Sequence, residues 1–421
     1  MLNLSRHLEL LTPPRSVNPP MPAASILSRP CLVVTSFCLL ATSLYPPSPR
    51  NSLADETDTV VLEIEPSTAF PRNSEGAFVS LASKRILFAY TQFYGGARDE
   101  SPARIVARYS DDGGRTWSST DQVLVENEGT ANVMSVSLLR LQSGTLALFY
   151  LRKNSWIDCR PMVRFSSDEG ASWSEPRVMT HAPGYFVMNN DRVIQLRSGR
   201  LVAPLAFHRA RNDAPHQSSS FDSRAIALWL LSDDEGLTWR EAKDWLSLPV
   251  TNTRTGLQEP GVVELTDGEL LSWFRTDQGE QWFSRSSDSG EHWSLPVASS
   301  LLSPVAPASI QRWPDSPWLL GVWNDHSTDL AAASGKRTPL AAALSLDAGA
   351  SWGYRRLLES DPEGWYCYTA IEATSEAILL AYCAGDATVG KLNRLRIRRL
   401  PIASWSLPPA TAGDNHLDRR P

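Results

Sequence analysis

Two short segments of the chain place charged side chains directly before runs that are typical of β-strands. The segment NNDR ends in Asp191 and Arg192, and the segment WIDCRPMVR carries Arg160 between Asp158 and Arg164. Polar side chains at strand ends could line a binding surface and form hydrogen bonds with a polar ligand. They could equally cap strands and satisfy backbone groups of loops. The residues alone leave both interpretations open.

Five other carboxylates recur at one fixed spacing, within the signature Ser-x-Asp-x-Gly-x-x-Trp. The copies are Ser110–Trp117, Ser166–Trp173, Ser232–Trp239, Ser286–Trp293 and Ser345–Trp352. The Asp can hydrogen-bond nearby backbone and fix a turn. The Gly supplies a backbone conformation that other residues reach only at a cost, and the Trp is a large apolar anchor. We therefore interpret these five carboxylates as structural and not catalytic.

The signatures begin 56, 66, 54 and 59 residues apart, which indicates one supersecondary unit used many times. A second repeat interleaves with them. Two β-rich runs joined by a short turn, the pattern of a β-hairpin, occur six times. The runs are Ala77–Leu81 with Arg85–Tyr90, Val133–Leu141 with Leu146–Tyr150, Arg192–Leu196 with Leu201–Phe207, Gly261–Leu265 with Leu270–Phe274, Ala308–Arg312 with Leu319–Trp323, and Thr369–Ala373 with Ile378–Tyr382.

Together these repeats predict an all-β six-bladed β-propeller with five signature turns, over residues 55–405. The sixth blade is expected to close with strands from both ends of the chain, Thr59–Glu65 and Leu395–Arg398. Closure of this kind leaves only short, protected sheet edges. Residues 406–421 form a polar C-terminal tail.

The first 54 residues are typical of a signal or processing segment. Cys31–Leu44 is an apolar run of secretory length, Arg29 provides a positive flank, and Ser52–Ala54 offers small residues for cleavage. The alternative is a tail that is never cleaved. We expect a secreted or periplasmic protein with no stable membrane insertion after processing.

Charge and cysteine content exclude several classes of function. A net charge of −6 without a basic stripe argues against nucleic-acid binding. Beyond the N-terminal segment only Cys159, Cys367 and Cys383 remain, an odd number without zinc-site spacing. Cys367 and Cys383 flank one hairpin and could pair or stay as buried thiols. We expect a monomer that uses neither a metal nor another cofactor.

The chain resembles the sialidase (neuraminidase) superfamily over roughly Thr59 to Trp405. Members of this family have such signatures on six blades. The resemblance also rests on four further segments of this chain. They are Phe70–Ser80 (FPRNSEGAFVS), Gln258–Arg275 (QEPGVVELTDGELLSWFR), Lys336–Ser345 (KRTPLAAALS) and Tyr366–Ile371 (YCYTAI). These look like the strands that carry the family's first arginine, its glutamate with the second arginine, its third arginine, and its tyrosine.

The resemblance assigns roles to six residues of this chain, in the family's order and rough spacing. They are Arg72, Asp99, Glu259, Arg275, Arg337 and Tyr368. It implies that the three arginines hold the carboxylate of a sialic acid through charge-assisted hydrogen bonds. Because a substrate carboxylate would repel a carboxylate nucleophile, the family uses a neutral tyrosine, here Tyr368, with Tyr366 as the competing candidate.

The resemblance also implies how the tyrosine acts. Glu259 would accept the proton of Tyr368, and Asp99 would serve first as general acid and then as general base. The expected activity is a retaining exo-acting glycoside hydrolase on sialylated or other acidic glycans. If Asp191, Arg192 and Arg160 also bind substrate, the pocket is unusually polar, and a related acidic nonulosonic sugar fits as well.

Two other functions stay open at this point. A non-catalytic propeller could bind glycans or proteins, since a fold does not determine a function. It would not need Asp99, Glu259 and Tyr368 together with three arginines. A glycosidase or lyase on a uronic-acid or sulfated polysaccharide would share the arginines but should have a long cleft.

Overall fold

The regular secondary structure of the described residues consists almost entirely of β-strands. The computed structural model describes residues 57–212, 214–249, 252–327 and 336–405, with two short 3-10 helices, Ser218–Ser220 and Ile402–Ser404. The predicted signal segment and C-terminal tail lie outside the described residues. The strands are β1 (Thr59–Ile64), β2 (Arg72–Ser80), β3 (Ile86–Phe93), β4 (Ala103–Ser110), β5 (Gln122–Val125), β6 (Asn132–Arg140), β7 (Leu146–Ser155), β8 (Asp158–Ser166), β9 (Arg177–Val178), β10 (Tyr185–Val187), β11 (Ile194–Gln195), β12 (Leu201–Ala210), β13 (Phe221–Ser232), β14 (Arg240–Glu241), β15 (Gln258–Glu264), β16 (Leu270–Arg275), β17 (Glu280–Ser286), β18 (Val297–Leu302), β19 (Ser309–Arg312), β20 (Leu319–Asn324), β21 (Leu340–Ser345), β22 (Gly353–Glu359), β23 (Trp365–Ala373), β24 (Ala377–Gly385) and β25 (Leu395–Pro401).

Four sheets have four strands each, in the orders β2-β3-β4-β5, β15-β16-β17-β18, β19-β20-β21-β22 and β1-β25-β24-β23. All six predicted hairpins form, and β1 pairs antiparallel with β25 as expected for closure by both ends of the chain. The all-β, propeller-like architecture is therefore confirmed. The count of six blades stays a prediction.

The remaining sheet differs from the expected separate four-stranded units, because it has nine strands. Its order is β14-β13-β12-β10-β8-β7-β6, with β11 on β12 and β9 on β8. The short strand β10 joins the two halves, since it pairs antiparallel with β12 and parallel with β8 at Tyr185 and Cys159. Tyr185 of this junction lines a pocket described below.

The signature turns have one hydrogen-bond pattern in all five copies. The Ser hydroxyl donates to the Asp carboxylate at 2.7–2.9 Å and accepts the Gly N–H at 2.8–3.0 Å. The same Asp accepts the N–H four residues later. Each Gly has a φ of 83–89°, and each Trp joins an apolar cluster. The structural interpretation of these carboxylates is confirmed.

The apolar core lies between neighbouring sheets. Leu87 and Ala89 of β3 pack with Leu146 and Leu148 of β7, for example, in one buried cluster. At the centre, β2 contacts both β6 and β23, and β19 contacts both β15 and β23. Residues that are distant in sequence therefore meet at the ends of these central strands. In the described ranges no helix has the length and apolar character needed to span a membrane.

Candidate active site

Four central strands carry a β-bulge, and each bulge holds one residue with a left-handed backbone. The residues are Glu75 of β2, Ser135 of β6, Glu259 of β15 and Tyr368 of β23, with φ of 55°, 59°, 46° and 59°. All four side chains line one pocket of about 290 Å³. Left-handed φ is costly for such residues and persists only where the surroundings impose it. The bulges thus mark this pocket as the candidate site.

Glu259 connects the other groups of the pocket. Its Oε1 accepts an N–H from Arg275 at 2.7 Å and lies 3.2 Å from the Tyr368 hydroxyl. Burial would raise the pKa of Glu259, but the charges of Arg275 and Arg337 outweigh it and lower the pKa. Burial and the Glu259 charge raise the pKa of Tyr368 above its usual range. The pocket therefore holds an ionised carboxylate beside a neutral phenol.

The two arginines of the pocket have N–H groups that face no protein acceptor. Arg337 is buried, and its guanidinium lies 5.2 Å from the centre of the Tyr368 ring. Among the described residues, no hydrogen-bond partner exists for Arg337 Nε and Nη1 or for Arg275 Nε. Because buried donors are almost always satisfied, these groups suit an anionic ligand such as a carboxylate.

Arg72 has a different environment, because two carboxylates of the pocket already bind it. Its Nη1 lies 2.5 Å from Oδ1 of Asp99, and its Nη2 lies 3.1 Å from Oε1 of Glu75. Partial desolvation in the pocket would raise the pKa of Asp99, whose side chain is still 55% exposed, but the Arg72 charge lowers the pKa overall. Burial raises the pKa of Glu75, whose other oxygen accepts the Ser135 hydroxyl at 2.6 Å. In this arrangement Arg72 holds Asp99 in place.

Another part of the pocket lining is aromatic and includes the buried cation Lys153. Its Nζ donates to the Asp99 carbonyl at 3.2 Å and lies 4.2 Å from the Trp156 ring centre and 5.5 Å from that of Tyr185. No carboxylate in the described ranges forms an ion pair with it, and burial lowers its pKa. Burial likewise lowers the pKa of the neighbouring His208 to about 4, so the imidazole is neutral.

Besides Arg72, three other residues that the sequence singled out do not line this pocket. Asp191 and Arg192 line a second cavity of about 490 Å³ that shares no lining residue with the first. Arg192 donates to the Ala308 carbonyl at 2.7 Å. Arg160 pairs with Asp158 at 2.8 Å, which is the structural alternative considered for that segment. None of these three side chains therefore lines the pocket, and that they bind substrate stays a prediction.

The three cysteines among the described residues are buried free thiols. For Cys367 and Cys383 this is the second of the two alternatives considered above. The latter two face each other in the β23–β24 register. Tyr366, the competing candidate for the nucleophile, is buried in an apolar cluster beside Tyr382. Only Tyr368 of the two lines the pocket.

Sequence reasoning missed several residues of the pocket, namely Glu75, Ser135, Lys153, Tyr185 and His208. Glu75 lies three residues after Arg72 within the segment that resembles the family's first-arginine strand, so its position held a signal. Lys153 and His208 lie near the ends of ordinary strands, and nothing in their local sequence distinguishes them from solvated polar residues.

Comparisons with known proteins agree with this fold. A family model described as a BNR repeat-like domain matches residues 82–380. The sialidase of Micromonospora viridifaciens is 25% identical over 342 residues, which cover 74% of this chain and 50% of that protein. The chain thus spans about half the length of this curated relative.

Solved structures with the same fold include sialidases. The NanB sialidase from Streptococcus pneumoniae has a TM-score of 0.64 and 16% identity, covering 83% of this chain and 71% of that one. A leech intramolecular trans-sialidase has a TM-score of 0.64 and 14% identity, covering 84% and 71%. A Dyadobacter fermentans protein of unknown function has a TM-score of 0.63 and 16% identity, covering 82% and 99%. At these identities the similarity shows the fold alone.

Proposed function

The chain belongs to the BNR repeat-like family, and from its pocket we propose that it is a retaining exo-glycoside hydrolase. Its substrates are glycoconjugates that end in sialic acid or a related acidic nonulosonic sugar. The observation that carries this proposal is the contact of Glu259 with both Arg275 and the Tyr368 hydroxyl. A carboxylate in that position can accept the proton of the phenol while the arginine keeps it ionised.

Arg275 and Arg337 are the groups that hold the sugar carboxylate. Both line the pocket, and both carry buried N–H groups that have no hydrogen-bond partner among the described residues. Arg72, the first arginine of the series, supports the reaction through Asp99, with which it forms an ion pair. Direct contact of Arg72 with the carboxylate would require Asp99 to move off its guanidinium.

The reaction then proceeds in two displacements. The Tyr368 oxygen attacks the anomeric carbon as its proton passes to Glu259. The glycosidic C–O bond breaks, and Asp99 donates a proton to the leaving oxygen. Water next attacks the anomeric carbon and gives a proton to Asp99, while Tyr368 leaves and regains its proton from Glu259. Two inversions at one carbon give overall retention.

The pocket volume favours exo action over cleavage within a polysaccharide. At about 290 Å³ the pocket lies at the small end of the range for ligand sites, which suits one terminal sugar. A glycosidase or lyase on an acidic polysaccharide would need a long cleft. The joint presence of Asp99, Glu259 and Tyr368 in the pocket speaks against a purely binding role.

The test is hydrolysis of a fluorogenic α-ketoside of N-acetylneuraminic acid by the mature protein. Matched ketosides of other nonulosonic acids and a uronic-acid glycoside complete the panel. We expect release from at least one nonulosonic ketoside, with the α-anomer as the first product seen by NMR. The β-anomer as first product would contradict the tyrosine mechanism. No release from any ketoside, or release from the uronic-acid glycoside alone, would contradict the proposed substrate class.

A further inference from the structure

Asn190 and Asp191 contact the backbone of the strand that carries Tyr368. The Asn190 side-chain amide donates to the Tyr368 carbonyl at 3.1 Å. The Asp191 carboxylate accepts the N–H of Ile371 at 2.9 Å. The polar segment that precedes the third hairpin therefore points at the bulge of β23.

That bulge needs such partners. Its register shifts between Cys367 and Ala370, so backbone groups in between lose their places in the ladder with β24. Neighbouring side chains satisfy two of these groups, since Asn190 donates to the Tyr368 carbonyl and the Ser309 hydroxyl donates to the Thr369 carbonyl at 2.5 Å. Asp191 accepts the N–H of Ile371, one residue after the shift ends, and so holds the strand directly beside the bulge. A tyrosine with φ of 59° persists only when its surroundings determine its backbone.

Both residues are themselves bonded to other central strands, Asn190 through its side chain and Asp191 through its backbone N–H. Asn190 Nδ2 also donates to the Gly76 carbonyl of β2 at 2.7 Å, one residue after Glu75. The Asp191 N–H donates to the Val136 carbonyl of β6 at 3.1 Å, one residue after Ser135. The segment therefore joins three of the four bulges that build the pocket.

We infer that Asn190 and Asp191 are positioning residues, which hold the β23 bulge and thereby direct the Tyr368 hydroxyl toward Glu259. This inference rests on the proposed function, in which Tyr368 is the nucleophile. It replaces the sequence-based expectation that Asp191 binds substrate. A small displacement of a reacting group is enough to reduce a rate strongly, so loss of either contact lowers kcat.

Three variants separate the possibilities. Asp191→Ala removes the acceptor of the Ile371 N–H, Asp191→Asn keeps an oxygen there, and Asn190→Ala removes the donor to Tyr368. The readouts are kcat, KM, the affinity for free N-acetylneuraminic acid by calorimetry, and hydrogen exchange of the Ile371 amide. Gln281→Ala is the control, because it deletes an equally buried amide whose two partners, Ser303 and Ala306, lie outside the bulge.

We expect Asp191→Ala and Asn190→Ala to lower kcat about tenfold to a hundredfold, with KM and affinity within about twofold of wild type. The Ile371 amide should exchange faster in Asp191→Ala, while Asp191→Asn should stay close to wild type in exchange and in kcat. Gln281→Ala should leave kcat and the Ile371 exchange rate unchanged.

Three results would overturn the inference. One is a loss of affinity in Asp191→Ala with unchanged exchange, which would place Asp191 on the ligand. Another is faster exchange with wild-type kcat, and the third is an equal loss of kcat in Gln281→Ala. If wild type hydrolyses no ketoside, the proposed function fails, but exchange at Ile371 still decides whether Asp191 holds the bulge.

Discussion

The hydroxyl of Tyr368 lies 3.2 Å from Oε1 of Glu259, the same oxygen that accepts an N–H of Arg275 at 2.7 Å. The two residues are separated by 109 positions and come from different sheets. Because the arginines keep Glu259 ionised, a proton acceptor stands beside a phenol that is neutral at ordinary pH. This contact is the basis of the predictions about turnover.

Tyr368→Phe and Glu259→Gln should each abolish turnover while leaving sugar binding intact. The first removes the nucleophile and the second its base, so kcat should fall by about a thousandfold or more. Calorimetry with N-acetylneuraminic acid should give affinities within about tenfold of wild type. Tyr366→Phe is the matched control, since its ring lies in an apolar cluster, and its kcat should stay near wild type. Turnover by Tyr368→Phe together with loss in Tyr366→Phe would reverse the assignment.

Arg275→Met and Arg337→Met should weaken binding of the acidic sugar. Each removes a charge-assisted donor from a buried site, so the Kd should rise by about a hundredfold or more. In the wild type the Arg285 guanidinium pairs with Glu269 at 2.5 Å, outside the pocket lining. The control variant Arg285→Met should therefore bind the acidic sugar normally. A neutral sugar analogue without the carboxylate should bind all four proteins equally weakly. If it distinguished the arginine variants, these arginines would not read the carboxylate.

The pH profile should depend on Arg72 through Asp99. Asp99 must be protonated to act as general acid, and the Arg72 charge lowers its pKa in the free protein. The alkaline limb of kcat/KM, which reports the free enzyme, should therefore lie at acidic pH. Removing the cation raises the pKa of Asp99, so Arg72→Met should move this limb to higher pH. Arg98→Met, an exposed arginine paired with Glu100, should not move it. An unshifted limb in Arg72→Met would show that another group is the acid.

Lys153→Met should lose function and gain stability. The ammonium donates to the Asp99 carbonyl and faces the pocket, so we expect KM to rise about tenfold. Burial lowers the pKa of Lys153, which means that the folded state disfavours its charge. The gain in Tm should be largest at pH values below the lowered pKa of Lys153. It should vanish as the pH approaches the pKa of a free lysine side chain. The control Lys243→Met, at an exposed lysine, should change neither KM nor Tm. A lower Tm in Lys153→Met would contradict this account.

Two glycines with similar backbone angles should respond differently to alanine. Gly114 and Gly144 have φ of 83° and 90°, so both alanines carry left-handed strain of about 1–2 kcal/mol. A Cβ at Gly114 would lie 2.6 Å from Leu379 of the neighbouring sheet, whereas one at Gly144 meets nothing within 4 Å. Gly114→Ala should therefore cost about 1–3 kcal/mol more in chemical denaturation. Equal losses would mean that the sheets do not pack tightly at this turn.

The sequence by itself determined the repeated unit and the pairing of the first strand, β1, with the last strand, β25, in one sheet. The signature turn and the hairpins depend on contacts within a few residues, so their pattern is readable along the chain. Family resemblance also pointed to Asp99, Glu259, Arg275, Arg337 and Tyr368, and these five line one pocket in the structure. It pointed to Arg72 as well, which does not line the pocket but forms an ion pair with Asp99.

Only the tertiary structure decided which other side chains join them. The side chains of successive strand residues point to opposite faces of the sheet, and a bulge changes that alternation. A register shift of one residue therefore decides whether a side chain enters the pocket. Asp191 consequently faces the backbone of β23, whereas Glu75, Lys153 and His208 line the pocket. Their positions follow from the register of central strands that lie far apart in sequence, which no local pattern encodes.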